Sequence, residues 1–510
     1  MARHRTVLAA TVSLLGLALV LAPSPALASH AQESIFEDEG VIGSSNLPLQ
    51  AAGLGVLKGL GVNTVRVLVH WSSLAPSPGS SRRPRFDETD PRRYRGWARF
   101  DNLARIAPTL GLRLSFDPVG DIPRWAQTAQ CHSGSPVIDA VCNPNASDYE
   151  QFVQAVGKRY SGSYPDPAQQ GARLPKVDAW EIWNEPNQIG WLGPQFKVVG
   201  HHLVQTTAAT YRRLALHAIS ALYASGHRRD RILIADTAPL GKSYSTRLDR
   251  RNTSPTAFVE NLLCLDGHLH RLRGRAAGEQ GCQHISRLRV TGYAHHPYQQ
   301  GAFYGPDHPV GAQDITVEHA NRLERLLDAG ARVGALPRAL PVYYTEYGVA
   351  SKPPNPIGAS LADQALFINQ SDYIAYNDPR IAGVSQYALH DPPGPHHIFN
   401  LGLRFGDYSP KPAYGAYRLP IYVRRRGGNV VVWGQARPAD HSQVQSVVIE
   451  SDTGSGFQVA ATALTQNPDG TSNAESYFTY VLPGGASRYR LTWTAPDGTL
   501  LTSREATPGR

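Results

Sequence analysis

Over residues 33–418 the chain alternates short runs of β-branched and aromatic residues with longer stretches in which apolar residues recur at helical spacing. Strands separated by helices are typical of βαβ units with a parallel sheet. The first strand is the weakest and is placed near Glu33–Ile42. The other predicted strands are Thr64–Val69, Leu112–Phe116, Asp178–Trp183, Arg231–Ala235, Leu288–Ala294, Val342–Thr345 and Ile381–Ala388. Eight such units predict an α/β fold, a (β/α)8 TIM barrel.

The helical pattern between these strands is clearest in five segments. They are Trp97–Leu110, Asp148–Tyr160, His201–Ala224, Val317–Ala331 and Leu361–Tyr376. Beyond residue 418 the pattern changes to short alternating runs separated by Pro-Asp-Gly and Pro-Gly-Gly turns, which is typical of a small all-β sandwich. The strands predicted there are Val430–Gly434, Val444–Glu450, Phe457–Ala461, Tyr477–Leu482, Tyr489–Trp493 and Leu500–Arg504. No long linker precedes them, so we expect this domain to pack against the barrel. It either binds glycans or braces the barrel, and we favour bracing because no aromatic platform is evident.

The amino terminus has the organisation of an export signal. Basic residues Arg3 and Arg5 precede the apolar run Val7–Ala22, and Ala26–Ala28 offers the small residues that signal peptidase cuts. A membrane anchor is the alternative, but a spanning helix needs roughly 20 apolar residues and Pro23 follows too soon. We therefore expect residues 1–28 to be a signal peptide, 29–418 the barrel and 419–510 the sandwich, in a secreted protein with no membrane span after cleavage.

The four cysteines suit an exported protein, because disulfides persist in oxidising compartments. Neighbouring cysteines enclose short loops, which favours the pairs Cys131–Cys142 and Cys264–Cys282 among the three pairings that four cysteines allow. The C-x2-C spacing of a structural zinc site does not occur in the sequence.

The formal charge of +9 comes from arginines spread along the chain. Such an excess either attracts anionic polysaccharide or the cell envelope, or simply forms a solvated surface, which is the interpretation we favour. No stretch has the pattern of a nucleic-acid-binding module. We expect a monomer without a cofactor.

Two glutamates stand at the carboxyl ends of predicted strands. Asn184-Glu185-Pro186 ends the fourth strand, and Glu346-Tyr347-Gly348 follows the seventh. Active sites of TIM barrels form at that rim, so both carboxylates are expected to meet there. Paired carboxyl groups suit acetal cleavage, since one protonates the leaving oxygen while the other stabilises or attacks the anomeric carbon. At roughly 5–5.5 Å the second acts as nucleophile and configuration is retained.

With Trp183–Pro186 and Thr345–Gly348, the barrel resembles the clan A retaining glycoside hydrolases, in which these positions are the acid/base and the nucleophile. The resemblance implies that Glu185 is the acid/base and Glu346 the nucleophile. His-His-Pro-Tyr after strand six, with Asn187 and Trp191 after the acid/base, looks most like family 39, with family 5 a close second.

The same resemblance implies four supporting residues. Arg66 in the second strand matches the arginine that supports the nucleophile, and Asn184 matches the asparagine that binds the sugar 2-hydroxyl. The His-x-Tyr motif matches His296 and Tyr298, whose hydroxyl is expected to bond Glu346.

Other residues have competing interpretations. Only one of the adjacent histidines can face the barrel mouth, and we favour His296 because it shares a face with Tyr298. A zinc site of His295, His296, His70 and Asp117 is the alternative, but the His-x-His of metal-dependent barrels does not occur on the first strand. We therefore predict no metal.

Aromatic side chains in the cleft are expected to stack on sugar faces. Trp191 is the best candidate, while Trp183 is expected to pack beneath the site. The clan's tryptophan after strand eight is replaced by Tyr387 or His390. Family 5 members often carry a histidine at the end of strand three, where this chain has Phe116-Asp117-Pro118. Asp117 and Asp121 are candidate acceptors for sugar hydroxyls.

The sequence thus predicts a glycosidase that hydrolyses O-glycosidic bonds, expected to be β-linked, in a polysaccharide or glycoconjugate by double displacement. Two alternatives remain open. One is a carbohydrate-binding or envelope protein that kept the barrel without catalysis, and the other is a transglycosylase with the same chemistry and another acceptor.

Overall fold

Eight parallel strands close into a barrel in the computed structural model, which describes residues 31–241, 247–392, 399–439, 442–467, 469–473 and 475–509. The predicted TIM barrel is confirmed, and the predicted signal peptide lies outside the described residues. The barrel strands are β1 (Glu33–Glu37), β2 (Thr64–His70), β3 (Arg113–Val119), β4 (Ala179–Trp180), β5 (Arg231–Thr237), β6 (Gly292–His295), β7 (Val342–Tyr344) and β8 (Ile381–Tyr387). Each pairs in parallel with the next, and β8 pairs with β1 to close the barrel.

The inward-facing side of the barrel becomes polar toward the carboxyl ends of its strands. Along β2, alternate residues share a face, and Arg66 on the inward face is completely buried. Leu68 and His70, further along that face, line an open cleft. The intervening valines of β2 are buried in the apolar core that the strands form with the surrounding helices. The functional side chains therefore converge at one end of the barrel.

A helix follows each barrel strand and covers the outside. These helices are α1 (Leu47–Gly59), α2 (Ala98–Thr109), α3 (Ala146–Arg159), α4 (Thr207–Ala224), α5 (Pro255–Leu262), α6 (Ala320–Arg332), α7 (Leu361–Tyr376) and α8 (Pro412–Arg418). Shorter helices lie in the loops at Glu39–Ile42, Trp71–Leu74, Pro136–Ala140 and Gly274–Glu279. One prediction was wrong: 201–206 is not helical, because Phe196–Val199 and His202–Gln205 pair as an antiparallel hairpin before α4 begins.

The carboxyl-terminal domain consists of two antiparallel sheets on a shared apolar core, as expected for a sandwich. Its strands are β9 (Ile421–Arg426), β10 (Asn429–Gln435), β11 (Ser446–Asp452), β12 (Phe457–Leu464), β13 (Tyr477–Pro483), β14 (Arg488–Thr494) and β15 (Leu500–Thr502). The sheet orders are β9-β10-β13 and β12-β11-β14-β15. The sequence did not predict β9, whose arginine-rich end masks the alternation of Ile421 and Val423, both buried.

The sandwich packs on helix α7 through an aromatic cluster and polar contacts. Tyr376 of α7 lies 5.0 Å from Tyr477 and 5.7 Å from Trp433, measured between ring centroids. Arg504 donates to Asn369 of the same helix at 2.9 Å. Because Trp433 and Tyr477 are almost fully buried, the two domains share a packed interface.

Both predicted disulfides are present, Cys131–Cys142 in the loop after β3 and Cys264–Cys282 between α5 and β6. Within the described part of the chain, no helix is long and apolar enough to cross a membrane.

Candidate active site

Main-chain hydrogen bonds continue the barrel ladder past the regular strands and fix the rim on which the site is built. Glu185 N–H donates to the carbonyl of Asp236 at 3.1 Å, and His296 N–H donates to that of Thr237 at 3.0 Å. Ala388 N–H donates to the carbonyl of Glu37 at 2.7 Å. These bonds join neighbouring strand ends, so each side chain that follows a strand has a fixed position.

The backbone after β4 leaves extended geometry abruptly. Trp183 and Glu185 have φ values of 66° and 37°, which are uncommon for residues other than glycine. Strand β4 ends at Trp180, three residues before its predicted end at Trp183, where the first of these φ values occurs. Non-glycine residues held in such conformations cluster at functional sites, where the surrounding structure supports the cost.

Arg66 lies beneath the cleft at the centre of a buried ring of acidic side chains. Its guanidinium contacts carboxylates that come from five different strands or strand ends, and it donates to Asn184 Oδ1 at 2.8 Å. The five partners are Glu37 at 2.5 Å, Glu181 at 2.6 Å, Glu346 at 2.8 Å, Asp117 at 3.0 Å and Asp236 at 3.4 Å. One buried cation therefore organises the ends of the strands around it.

The two glutamates singled out from the sequence meet at this rim. Glu185 and Glu346 each have a carboxylate oxygen within 4.8 Å of the other and of a His296 ring nitrogen. Their side chains are 18% and 12% exposed, so both reach the cleft while being largely buried. An oxygen–oxygen distance of at most 4.8 Å is compatible with the roughly 5–5.5 Å between the carboxyl groups of retaining glycosidases.

His296 and Tyr298 connect the two carboxylates. His296 Nδ1 lies 3.0 Å from Glu185 Oε1 and 3.5 Å from Glu346 Oε2. The Tyr298 hydroxyl donates to Glu346 Oε2 at 3.1 Å, while Arg66 donates to the other oxygen, Oε1, at 2.8 Å. Both oxygens of Glu346 are thus held by donors, and its carboxylate has one orientation.

The protonation states follow from burial and neighbouring charges. Burial raises the pKa of Glu185; His296 opposes this rise and the Glu346 carboxylate adds to it. Burial works against the charge on His296, but Glu346, Asp236 and Glu185 outweigh it and raise the pKa of the imidazole to about 10. At neutral pH the site therefore holds an imidazolium, which lies beside a carboxyl group whose pKa is raised by burial.

The pKa values of three acids around Arg66 are also raised. Burial raises the pKa of Asp117 and of Asp236 to about 7 in each case, against the opposing effect of Arg66. Burial likewise raises the pKa of Glu37 well above its ordinary value. The raised pKa values favour the protonated forms of Asp117, Asp236 and Glu37, and each proton that these acids bind reduces the repulsion between neighbouring carboxylates.

The adjacent histidines His295 and His296 have different environments, as the sequence suggested. His295 is buried away from the cleft, with Nδ1 2.8 Å from Thr237 Oγ1 and Nε2 2.9 Å from the carbonyl of Ile315. Burial lowers the pKa of His295 to about 3, so it is a neutral structural residue. His296 is the one that reaches the carboxylates.

Glu185, His296 and Glu346 also place potential metal-ligand atoms within 4.8 Å of one another. A metal binds the lone pair of a neutral imidazole, whereas the surrounding carboxylates keep His296 protonated. Arg66 and His296 supply positive charge to the site themselves. The group is therefore suited to proton transfer and charge stabilisation.

The cleft above these groups has a volume of about 560 Å³. Trp191 and Tyr387 both line it, as predicted for aromatic residues that contact a sugar. His390, the alternative to Tyr387, lies outside the described lining and packs against Tyr408, with ring centroids 4.5 Å apart. Trp183 is fully buried and donates to the carbonyl of Trp191 at 2.9 Å, so it packs beneath the site as expected.

Asp117 and Asp121 are not among the described residues that line this cleft. Asp117 is fully buried and paired with Arg66, so the suggestion that it accepts bonds from sugar hydroxyls was wrong. Its position within β3, before Gly120, already places it below the rim.

Sequence reasoning missed three acids of the ring, Glu37, Glu181 and Asp236. Glu37 ends the weakly predicted first strand, while Asp236 lies just beyond the predicted end of β5, which continues to Thr237. Glu181 directly follows β4. Once the strands are aligned, acidic residues are found on the inward face near several strand ends. Such a set indicates a buried ionic cluster, because the buried Arg66 is the cation that can pair with these acids.

Comparison with known proteins finds no matching family model and no matching curated protein. Similar solved structures include a family 39 glycoside hydrolase from Bacteroides cellulosilyticus WH2, with 13% identity over 89% of this chain and 79% of the other, at a TM-score of 0.49. A family 5 glycoside hydrolase from Bacteroides vulgatus has 9% identity over 88% and 89%, at 0.40. An endocellulase from Pyrococcus horikoshii has 12% identity over 77% and 92%, at 0.40.

The two families that the motifs resemble therefore both occur among the similar structures. Their low identities and TM-scores do not transfer an activity to this chain. Its function has to follow from the chemistry of its own site.

Proposed function

We propose that this protein is a retaining glycoside hydrolase that cleaves O-glycosidic bonds by double displacement, with Glu185 as acid/base and Glu346 as nucleophile. The observation that carries the proposal is the pair of carboxylate oxygens within 4.8 Å of each other at the carboxyl end of one barrel. At this separation one carboxylate reaches the anomeric carbon while the other reaches the leaving oxygen.

In the first step Glu346 attacks the anomeric carbon and the bond to the leaving oxygen breaks, while Glu185 donates its proton to that oxygen. The products are a glycosyl ester of Glu346, a released alcohol and the Glu185 carboxylate. The raised pKa of Glu185 supports this role, since the group must be protonated when the substrate binds.

In the second step Glu185 accepts a proton from water as the water oxygen attacks the anomeric carbon. The ester bond breaks, Glu346 leaves as a carboxylate, and the sugar regains its original configuration. Arg66 and Tyr298 favour this departure, because each donates to one oxygen of the carboxylate that is released. The His296 imidazolium stabilises whichever of the two glutamates is ionised.

Asn184 fits the role that the motif resemblance implies. Arg66 donates to its side-chain oxygen, which leaves the amide N–H groups directed elsewhere, and the residue lines the cleft. A donor held in this way suits a hydroxyl of the sugar whose anomeric carbon lies between the glutamates.

Azide rescue tests the assignment of both glutamates. Glu346→Gly should lose turnover of an activated aryl glycoside and regain it with azide, giving a glycosyl azide of inverted configuration by a single displacement. Glu185→Gly is the matched variant, and azide should there intercept the glycosyl-enzyme and give the retained configuration. Identical anomers from both variants, or full activity in either without azide, would refute the assignment.

The two alternatives predict different products. A transglycosylase forms new glycosides at high acceptor concentration where a hydrolase releases free sugar, and a binding protein turns over no glycoside at all. The paired carboxylates favour catalysis, since a binding role does not need an acid and a base at this distance.

We further propose that the protein acts outside the cytoplasm as a monomer on oligo- or polysaccharide. The amino-terminal export pattern and the two disulfides support this location. Detection of the mature protein in the culture medium, with an amino terminus at Ser29, is the direct test.

A further inference from the structure

A second cavity opens beside the catalytic cleft. It has a volume of about 440 Å³ and is lined by residues that follow β1 and by residues at and beyond the end of β8. Glu39, Tyr387 and Phe399 line both cavities. Because the two spaces share these walls, a molecule in the cleft can extend into the second cavity without leaving the surface. Each volume lies within the roughly 300–1,000 Å³ typical of small-molecule sites.

Aromatic rings form the exposed part of the second cavity. Phe399 is 53% exposed and Tyr408 is 65% exposed, so neither ring is buried in the core and both are accessible to a ligand. His390 packs edge-on against Tyr408, with ring centroids 4.5 Å apart, and restrains the ring from one side. Rings exposed beside a cleft in this way offer the flat apolar surface that the C–H face of a sugar covers.

The polar groups of this cavity favour a neutral ligand. Asp391 is already paired with Lys411, and Asp38 accepts from the main-chain N–H of Leu389. Glu39 is 44% exposed, and the charged contact found for it is a long one of 3.7 Å to His70. An exposed carboxylate between the cavities accepts hydrogen bonds from hydroxyl groups and repels a carboxylate or sulfate.

We propose that the second cavity is a subsite for the next sugar ring of a neutral glycan chain, with Phe399 and Tyr408 as its stacking surface and Glu39 as its hydroxyl acceptor. This inference rests on the proposed glycosidase function and deepens it. The protein then prefers chains to single glycosides and cleaves the bond of a sugar that has a bound neighbour.

Chain-length dependence tests the subsite. The substrates are di- to hexasaccharides of β-linked glucose, mannose and xylose, compared with the aryl glycosides of the same monosaccharides. For Tyr408→Ala we expect kcat/KM on the preferred oligosaccharide to fall roughly tenfold, which corresponds to about 1.4 kcal/mol of lost binding. The aryl glycoside has a single sugar ring, which occupies only the cleft. For this substrate, kcat/KM of Tyr408→Ala should stay within about twofold of the wild-type value.

A matched control is Tyr480→Ala, which removes an exposed tyrosine of the sandwich at 37% exposure. It should change kcat/KM on neither substrate. Equal losses on aryl glycoside and oligosaccharide in Tyr408→Ala, or no loss on either, would overturn the subsite while leaving the glycosidase assignment intact.

Binding gives a readout that does not depend on turnover. The same oligosaccharides are titrated into the Glu346→Ala variant with and without Tyr408→Ala, and the added substitution should weaken binding about tenfold. If the wild-type protein cleaves none of the glycosides and the added substitution leaves oligosaccharide binding unchanged, both the subsite and the proposed function fail.

Discussion

The mouth of the barrel and the core of the sandwich are built on opposite principles. At the mouth, one buried arginine contacts five carboxylates, an arrangement whose desolvation cost rivals its Coulombic gain. In the sandwich core, buried valine, isoleucine, leucine and aromatic side chains pack with one another. Apolar packing is the simpler way to stabilise a fold, so the cost of the charged mouth agrees with the proposed catalytic role, and we expect the sandwich to contribute stability.

The largest effect on either region is expected at Arg66. In Arg66→Met the buried acids lose their common cation, and removal of one partner of a buried ion pair costs about 3–5 kcal/mol of folding stability. Activity should fall about 100-fold or more, because Glu346 also loses a donor to its Oε1 atom. Urea unfolding and kcat/KM on an aryl glycoside are the measurements.

The control is Arg113→Met, which removes a strand arginine at the opposite end of the barrel. That residue is 42% exposed and pairs with Glu33 at 3.3 Å, so the loss of stability should be small, roughly 0–1 kcal/mol. In Arg66→Met the loss should shrink at low pH, because protonated acids no longer need the cation. A loss of equal size at acidic and neutral pH would contradict the electrostatic explanation.

A substitution in the core of the sandwich should lower stability without lowering activity. Leu491 of β14 is fully buried in its core, and Leu491→Ala should destabilise that domain by about 2–5 kcal/mol through lost burial and a residual cavity. Below the melting temperature, kcat should be unchanged, since the cleft is formed by barrel residues. Calorimetry and steady-state kinetics on one preparation provide both values.

Leu500→Ala is the matched control, because this leucine lies on β15 of the same sheet and is 68% exposed. It should leave the melting temperature nearly unchanged. A loss of kcat in Leu491→Ala at a temperature where the protein is folded would mean that the sandwich shapes the site, and the division between the two regions would be wrong.

The sequence predicted what local pattern and chain order determine. The barrel follows from the alternation of strands and helices, and Glu185 and Glu346 were identified because motifs at two strand ends meet on one rim. Both disulfides were predicted because each closes a short loop. The bounds predicted for helix α7 match the structure to the residue, and in the structure Ser360 caps its amino terminus by accepting from Asp363 N–H.

Among the features that were missed, the pairing of the buried acids with Arg66 depends on residues that are far apart in sequence. Asp236 is 170 residues from Arg66 in sequence, so the two can be recognised as partners only once all the strands are aligned. Strand β4 ends at Trp180, ahead of the positive φ values at Trp183 and Glu185, and a strand pattern does not show this change of backbone. The hairpin before α4 was missed because Leu203 and Val204 also fit a helical period.

The smallest expected effect distinguishes charge from hydrogen bonding at the mouth itself. In His296→Asn a neutral donor replaces the imidazolium beside Glu185. The imidazolium lowers the pKa of Glu185, so without it Glu185 keeps its proton to higher pH. Because the acid must be protonated for the first step, the alkaline limb of kcat/KM should move to higher pH.

His295→Asn provides the comparison within one dipeptide. His295 is neutral, and the hydrogen bonds described for its ring go to Thr237 and the carbonyl of Ile315 and not to Glu185. Its variant should lose some stability and keep the alkaline limb in place. If the alkaline limb moved equally in both variants, the shift would reflect disturbed packing. A shift confined to His296→Asn would show that the imidazolium charge sets the pKa of Glu185. Control of a pKa by a buried charge is the property that separates this polar mouth from the apolar sandwich.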